Sequence, residues 1–182
     1  MRLIKRITYG EAFDDDASQQ KSVRVVLLDG ENLVALLYLA ALNFFTIPGG
    51  GVEGGEELEQ AVIREMREET GCAVEITHEL GIIVENSKTL GWNGINHCYI
   101  AKVKGDKGLP CLTEEEAGDE TQLRWHGLEE ALGIIANQKA KPRSEKEAGL
   151  VGIIQQRDIA LLKGVRDGHF TKIRNFNRCG EI

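Results

Sequence analysis

The chain has 182 residues, 42% of them hydrophobic, and a formal net charge of −7 at pH 7. This length and composition predict one soluble globular domain with a sizeable buried core. The acidic balance argues against broad, nonspecific binding of nucleic acid, so no stable nucleic-acid partner is expected. No apolar run approaches the roughly 20 residues that a membrane span requires, so no membrane partner is expected either.

The N-terminal segment and the cysteines indicate a cellular compartment. Residues 1–9 are basic but lack the long apolar region of a signal peptide. Cys72, Cys98, Cys111 and Cys179 are widely spaced and include no Cys-x-x-Cys pair. Reduced thiols in a cytoplasmic protein are the simplest interpretation, and a zinc site is not indicated.

The first predicted elements are strands. After a polar lead that contains three successive aspartates, residues 23–28 and 33–39 are apolar runs of strand length. The Asp29-Gly30-Glu31-Asn32 segment between them is a typical hairpin turn. A short β-prone run at residues 44–47 ends at Pro48. The sequence therefore predicts a hairpin followed by a short strand.

A glycine-rich turn and an acidic helix come next, at residues 50–72. Glycines at positions 49–51 permit backbone conformations closed to other residues, so this turn can approach a metal or a phosphate closely. A helix is expected to begin near Glu56, where the helix dipole favours acidic side chains. We expect it to end at Gly71, a residue type that commonly follows a helix C-terminus.

The glutamates of this helix lie on an unusual side. At about 100° per residue, Glu65, Glu68 and Glu69 project to the same side as the apolar residues. An ordinary surface helix, which is the alternative interpretation, places its charges on the opposite side. Like charges on a core-facing side repel one another and are costly to desolvate unless cations are present. Divalent ions that prefer oxygen ligands would resolve this conflict. The apolar residues on that side are Leu58, Ala61, Val62 and Met66.

The spacing of the segment resembles the Nudix box, the signature of hydrolases that act on nucleoside diphosphates linked to another group. Five residues separate Gly50 from Glu56, seven separate Glu56 from Arg64, and Glu-Met-Arg-Glu-Glu-Thr-Gly-Cys follows. Every fixed polar and glycine position of the pattern is filled. The one departure is Cys72, where the family usually has a larger aliphatic residue, and a buried free cysteine behaves as a small hydrophobe.

The resemblance implies roles for individual residues. Glu65, Glu68 and Glu69 match the glutamates that bind metal in the family, with Mg²⁺ expected and Mn²⁺ as a substitute. Arg64 resembles the arginine that orients one of them through a salt bridge. A backbone carbonyl from the glycine turn, assigned here to Gly49, would complete the metal ligands. Glu56 matches a position whose role in the family is mainly structural.

The elements after the box complete an α/β order. Strands are predicted at residues 74–85, as one long bent strand or a strand pair, at 95–103 after a turn at 91–94, and at 122–126. Helices are predicted at 128–136 and from a capping box at 144–147 to about 163. The resemblance implies an α/β/α sandwich with a mixed β-sheet, which the element order alone does not separate from other α/β layers.

Within a single domain at 1–182, the resemblance covers a core of about 20–136. It leaves an N-terminal extension and a C-terminal helix with a basic tail. The tail is interpreted as a solvated segment, with a surface for an acidic partner or a substrate phosphate as the alternative. Many relatives of the family form dimers, so the resemblance also implies a homodimer.

The implied reaction is attack of water on a diphosphate bond of a nucleotide-derived small molecule. Metal ions neutralise the phosphates and position the water, and a glutamate accepts the proton. Glu68 and Arg64 are expected to take part, and the base is either a box glutamate or a carboxylate on a later loop. Within the acidic run at 114–120, Glu120 is the residue chosen, with a solvated loop as the alternative.

The substrate and two alternative functions remain open in the sequence. A proline that resembles the mark of ADP-ribose hydrolases is missing from residues 86–89, which weakens that substrate. One alternative is an enzyme of isopentenyl diphosphate isomerase type, which needs a reactive cysteine, and Cys98 is the one cysteine in a plausible core strand. The other is a nucleotide-sensing module without hydrolysis, which would have lost box glutamates and gained a DNA-binding segment.

Overall fold

A computed structural model describes residues 1–14, 18–111 and 120–172. Their elements follow an α/β order with few helices, as the sequence predicts, and a short 3₁₀ turn at Ala40–Leu42 precedes β4. The strands are β1 Leu3–Thr8, β2 Gln20–Leu28, β3 Val34–Leu39, β4 Phe44–Thr46, β5 Val74–Ser87, β6 Trp92–Val103, β7 Thr121–His126 and β8 Thr171–Lys172. The helices are α1 Leu58–Thr70, α2 Leu128–Asn137 and α3 Glu145–Arg166.

The strands form one mixed sheet in the order β1-β5-β6-β2-β3-β4, with β7 on β3 and β8 on β5. Two pairs are parallel, β1 with β5 and β2 with β6. The other pairs are antiparallel, including the predicted hairpin of β2 with β3, which is joined at Leu28 and Val34. The predicted mixed sheet is therefore confirmed.

Helices cover both faces of the sheet. Helix α1 packs on one face, where Ala61, Val62 and Met66 join a buried cluster with Val25 and Tyr99. Helices α2 and α3 pack on the other face, where their apolar residues meet a second set of strand residues. Because both faces are buried, the central strands are nearly continuous apolar runs, and the predicted α/β/α sandwich is confirmed. The second cluster includes Ile135, Ile153 and Leu161 from the helices, and Val26, Ile83 and Cys98 from the strands.

The first strand was not predicted from the sequence. Residues of β1 pair in parallel with β5, and Ile7 is buried at 2% exposure. Parallel pairing with a strand far along the chain requires no local turn, so nothing near β1 indicates that it belongs to the sheet. The N-terminal extension therefore supplies one edge of the sheet, next to the long strand that follows α1.

One predicted turn is wrong in position. The sequence places it at 91–94, but the Gly91 N–H donates to the Lys88 carbonyl (3.1 Å) and closes a turn at 88–91. Trp92 already belongs to β6 and pairs with Ser87. Gly94 lies inside β6, and the Trp92 indole packs close to the position that a Cβ of residue 94 would occupy. A glycine that accommodates a ring inside a strand resembles a turn glycine in sequence.

Helix α1 begins two residues later than predicted. Glu57, not Glu56, is the N-cap, and it forms a capping box with Gln60. The predicted end at Gly71 is confirmed, and Gly71 has a left-handed φ of 68°. None of the helices in the described ranges is both long and apolar enough to cross a membrane.

Gly71→Ala is expected to destabilise the protein by roughly 1–3 kcal/mol, because the left-handed conformation disfavours a Cβ. That Cβ would also stand 2.5 Å from the Leu109 carbonyl group. Urea unfolding of the two proteins measures the difference. Gly152→Ala in α3 is the matched control, since its Cβ would meet nothing within 4 Å. The control should raise stability by roughly 0.5–1 kcal/mol as a helix-interior substitution. Equal effects of the two changes would contradict this account of the turn after α1.

Candidate active site

The glycine loop, residues 47–51, is held against β2. The Val25 N–H donates to the Pro48 carbonyl (3.0 Å), and the Val23 N–H donates to the Gly50 carbonyl (2.9 Å). Gly49, between these two anchors, has φ 131°, and a Cβ there would lie 2.3 Å from the Val23 carbonyl oxygen. Only glycine fits this position, so the path of the backbone requires the residue that the sequence provides.

The same loop closes onto α1 through two of the predicted glutamates. The Gly49 N–H donates to Glu69 Oε2 at 2.6 Å. A Cβ on Gly50 would lie 2.4 Å from the Glu65 carboxylate, so that carboxylate rests directly against the loop backbone. Glycine at these two positions therefore brings two carboxylates and the loop carbonyls into one small region.

Helix α1 places the three glutamates at different depths. Glu65 and Glu69 are each only 7% exposed, on the side of the helix that carries the apolar residues. The Glu68 side chain is 39% exposed at the edge of that side. Burial raises the pKa of Glu65, and the hydrogen bond from Arg64 opposes that rise. The helix therefore presents two sheltered carboxylates and one that reaches solvent.

Arg64 is the cation that offsets this charge. Its guanidinium donates to Glu65 Oε1 (2.8 Å), to Glu68 Oε2 (3.1 Å) and to the Gly51 carbonyl (2.8 Å). It also contacts both carboxylate oxygens of Glu56, at 2.9 and 3.0 Å. These hydrogen bonds hold the pKa of Arg64 above its usual value, with Glu56 as the largest cause. One guanidinium thus joins three acidic side chains to the loop backbone.

Glu56 faces Arg64 and the turn before the helix. Besides Arg64, it accepts a hydrogen bond from the Glu53 N–H at 3.0 Å. The bonds from Arg64 lower the pKa of Glu56, so the carboxylate stays ionised. These contacts suit a residue that fixes the orientation of Arg64.

The Gly49 carbonyl, predicted as a metal ligand, accepts a hydrogen bond from the Arg24 guanidinium. Sequence reasoning missed Arg24. It is the one charged residue in the apolar stretch 23–28 of β2, and burial lowers its pKa. A lone arginine in an otherwise apolar central strand is the signal that would have found it, because such a charge needs buried partners.

The carboxylates do not point at a common centre. Glu65 and Glu68 turn toward Arg64, and Glu69 turns toward the Gly49 N–H. Within the described ranges, no three His, Cys, Asp or Glu side chains form a ready-made metal cluster. The nearby donors are nevertheless carboxylate and carbonyl oxygens, which is the ligand type of Mg²⁺ and Mn²⁺.

The second carboxylate candidate, Glu120, lies at the exposed start of β7 with a left-handed φ of 52°. No hydrogen bond or ion pair joins Glu120 to the box glutamates among the residues that the structure describes. The rest of the acidic run, residues 112–119, lies outside the described residues. The structure thus brings together the predicted residues of α1 and the loop, but not Glu120.

One open groove adjoins the site. It has a volume of about 380 Å³ and lies along the solvent side of α1, lined by Gln60, Ile63, Arg64, Arg67 and Glu68. Two further cavities, of about 270 and 330 Å³, are lined by residues near the N-terminus and the end of α3, and none of those belongs to the box. Of these three cavities, only the groove beside Glu68 is lined by residues of the box.

Proteins of known sequence resemble part of the chain. An ADP-ribose pyrophosphatase of Methanocaldococcus jannaschii is 35% identical over 78 residues, which is 43% of this chain and 42% of that protein. An RNA pyrophosphohydrolase of Dinoroseobacter shibae is 45% identical over 58 residues, or 31% of this chain and 36% of that protein. The chain thus spans about two fifths of the curated relatives that it matches.

Solved structures resemble the fold over most of the chain. A Nudix hydrolase from Nitrosomonas europaea superimposes with a TM-score of 0.60 at 17% identity, covering 86% of this chain and 94% of that one. A MutT protein from Methanosarcina mazei gives 0.57 at 19% identity, covering 85% and 99%. A family model described as the NUDIX domain matches residues 18–148. With that match over more than half of its length, the chain belongs to the Nudix family.

Proposed function

We propose that this chain is a metal-dependent hydrolase that cleaves a diphosphate bond in a nucleoside diphosphate-linked or nucleoside triphosphate compound. The observation that carries the proposal is the junction of α1 with the glycine loop. There Glu65 rests against Gly50, and Glu69 accepts a hydrogen bond from Gly49. Family membership supports the class of reaction. The curated relatives are pyrophosphatases in name, which agrees with it.

Glu65, Glu68, Glu69 and the Gly49 carbonyl are the proposed ligands of Mg²⁺ or Mn²⁺. All four are oxygen donors, and the three carboxylates exceed the two neighbouring positive charges of Arg64 and Arg24, so this cluster favours an added cation. When bound, the ion supplies charge neutralisation at the phosphates and makes a nearby water easier to deprotonate. Arg24 would have to release the Gly49 carbonyl or share it.

The roles that we propose for the three glutamates follow from how exposed each side chain is. Glu65 and Glu69 are sheltered and anchored to the loop, so they hold position. Glu68 is the most exposed of the three and borders the open groove. We therefore assign to Glu68 the role of accepting the proton of the attacking water. Arg64 keeps Glu68 in place through its 3.1 Å contact. Glu120 remains the second candidate for the base, and Glu120→Gln tests it with the same substrates.

Both alternative functions have less support than hydrolysis. An isomerase with a reactive cysteine is disfavoured, because Cys98 is buried and burial raises its pKa to about 12. Its thiol donates to the Asn96 carbonyl at 3.3 Å and faces the core. A nucleotide-sensing module is disfavoured because all three box glutamates are present. Absence of metal-dependent product release over a broad substrate panel would reverse that preference.

The substrate is proposed only as a class. The M. jannaschii relative is named for ADP-ribose and the D. shibae relative for RNA. A suitable panel therefore contains ADP-ribose, nucleoside diphosphate sugars, nucleoside triphosphates and 5′-triphosphorylated RNA. We also propose a cytoplasmic location, which the unpaired thiols of Cys72, Cys98 and Cys111 support. A homodimer remains a prediction for sedimentation analysis.

Glu68→Gln and Glu69→Gln are expected to reduce kcat for the best substrate of this panel by about 10²–10⁴-fold with Mg²⁺. The amide keeps the size of the side chain and removes the charge that holds the ion or accepts the proton. Phosphorylated product is measured by chromatography. Glu59→Gln, in the first turn of α1, is the matched control and should retain activity. Turnover by the two variants equal to that of the wild type would contradict the assignment.

Arg64→Lys should lower kcat by at least about tenfold, because an ammonium group cannot reproduce the planar contacts to three glutamates and a carbonyl. The thermal unfolding midpoint should also fall, since Glu56, Glu65 and Glu68 lose their shared partner. Arg166→Lys, at the exposed end of α3 where the guanidinium pairs with Asp167, controls for a general effect of the substitution. Identical kinetics for the two lysine variants would show that Arg64 does not organise the site.

A further inference from the structure

A buried carboxylate on α3 contacts the chain just before the glycine loop. Asp158 has no exposed surface, and its Oδ2 accepts hydrogen bonds from the Thr46 hydroxyl (2.8 Å) and the Ile47 N–H (3.0 Å). Its other oxygen, Oδ1, accepts from Arg157 at 2.7 Å. The family model ends at residue 148, so this contact comes from a part of the chain beyond that match.

Arg157 completes the contact. It is 2% exposed, donates to the Thr46 hydroxyl at 3.1 Å, and lies 3.7 Å from Glu85 on β5. Glu85 in turn accepts a hydrogen bond from the Trp92 indole at 3.0 Å. Burying an ion pair is expensive, and apolar residues would pack α3 at lower cost. We therefore interpret the charges of Arg157 and Asp158 as holding the backbone segment at residues 46–47.

The fixed segment leads directly into the site. Ile47 is followed by Pro48, whose ring restricts the backbone to φ near −65°, and then by Gly49. Only Pro48, whose carbonyl accepts a hydrogen bond from the Val25 N–H, therefore separates Ile47 from Gly49, so the anchor at Ile47 adds to the one at Pro48 in fixing Gly49. At Gly49, the N–H bonds to Glu69 and the carbonyl faces Arg24. Helix α3 thus reaches the proposed ligands through two residues of backbone.

We propose that Asp158 is a positioning residue for the reaction, which holds residues 47–49 so that Gly49 meets Glu69 in the geometry that binds the metal. The inference rests on the proposed function. β2 holds the loop from one side, α1 holds it from the second, and Asp158 holds it from the third. Without Asp158, the loop keeps its contacts to β2 but loses the anchor at its start.

Asp158→Asn tests the proposal because every neighbour of this carboxylate is a donor. In either orientation, the amide N–H₂ of the variant faces the donors of Arg157 or those of Thr46 and Ile47. Hydrogen exchange of the peptide at 44–52, measured without metal, should be about tenfold faster than in the wild type. Mn²⁺ affinity, measured by the paramagnetic resonance of the free ion, should be about tenfold weaker.

Two controls separate positioning from general damage. Asp167→Asn removes a carboxylate from the end of α3, where it pairs with the exposed Arg166, and should leave both measurements unchanged. Leu161→Ala creates a cavity under α3 and should lower the unfolding midpoint at least as much as Asp158→Asn. With the loop contacts intact, Leu161→Ala should keep Mn²⁺ affinity within twofold of the wild type.

Thr46→Val provides a second route if Asp158→Asn fails to fold. Valine keeps the size and suits a strand, but removes the hydroxyl that joins Asp158 to Arg157. Thr46→Val should also speed hydrogen exchange of the peptide at 44–52 and weaken Mn²⁺ affinity, each by a smaller factor than Asp158→Asn does. Normal exchange and normal Mn²⁺ affinity in the folded variants would overturn the role of Asp158 and leave the proposed hydrolase intact. Failure of the wild type to bind Mn²⁺ would overturn both.

Discussion

The arrangement of the site depends on the repulsion between three carboxylates on one helix. Glu65 and Glu69 are buried beside the sheet, and Glu68 lies next to them, so their charges must be offset locally. Arg64 supplies one positive charge and reaches Glu65, Glu68 and Glu56 at once. The remaining negative charge is the reason why this end of α1 suits a divalent cation.

The glycine loop lies next to these carboxylates and is held there by contacts from several directions. Backbone hydrogen bonds join it to β2, Glu69 joins it to α1, and Asp158 joins its leading segment to α3. Each contact needs a residue type that the sequence provides, above all Gly49 with its positive φ and its approach to the Val23 carbonyl. Helices from both faces of the sheet therefore contact this loop, α1 from one face and α3 from the other.

Local signals made α1 and the loop predictable. The apolar spacing, the glycines and the Arg-Glu-x-x-x-Glu pattern all lie within one short segment, and both the helix end at Gly71 and the side that carries Glu65 and Glu69 follow from them. Contacts between distant segments left no such signal. The pairing of β1 with β5, the bonds from Thr46 and Ile47 to Asp158, and the bond from Arg24 to Gly49 each join residues far apart in sequence. Only Arg24 had a local sign, as a charge within an apolar strand.

The central claim is that the junction of α1 with the glycine loop binds the ion that the reaction needs. A crystal structure with Mn²⁺ and a nonhydrolysable nucleotide, with the metal located by anomalous scattering, tests this most directly. The account predicts a manganese peak within about 2.0–2.4 Å of oxygens from the proposed ligands, which are Glu65, Glu68, Glu69 and the Gly49 carbonyl, with phosphate oxygens completing the coordination. A nucleotide bound elsewhere, or manganese with none of these residues as ligands, would contradict it.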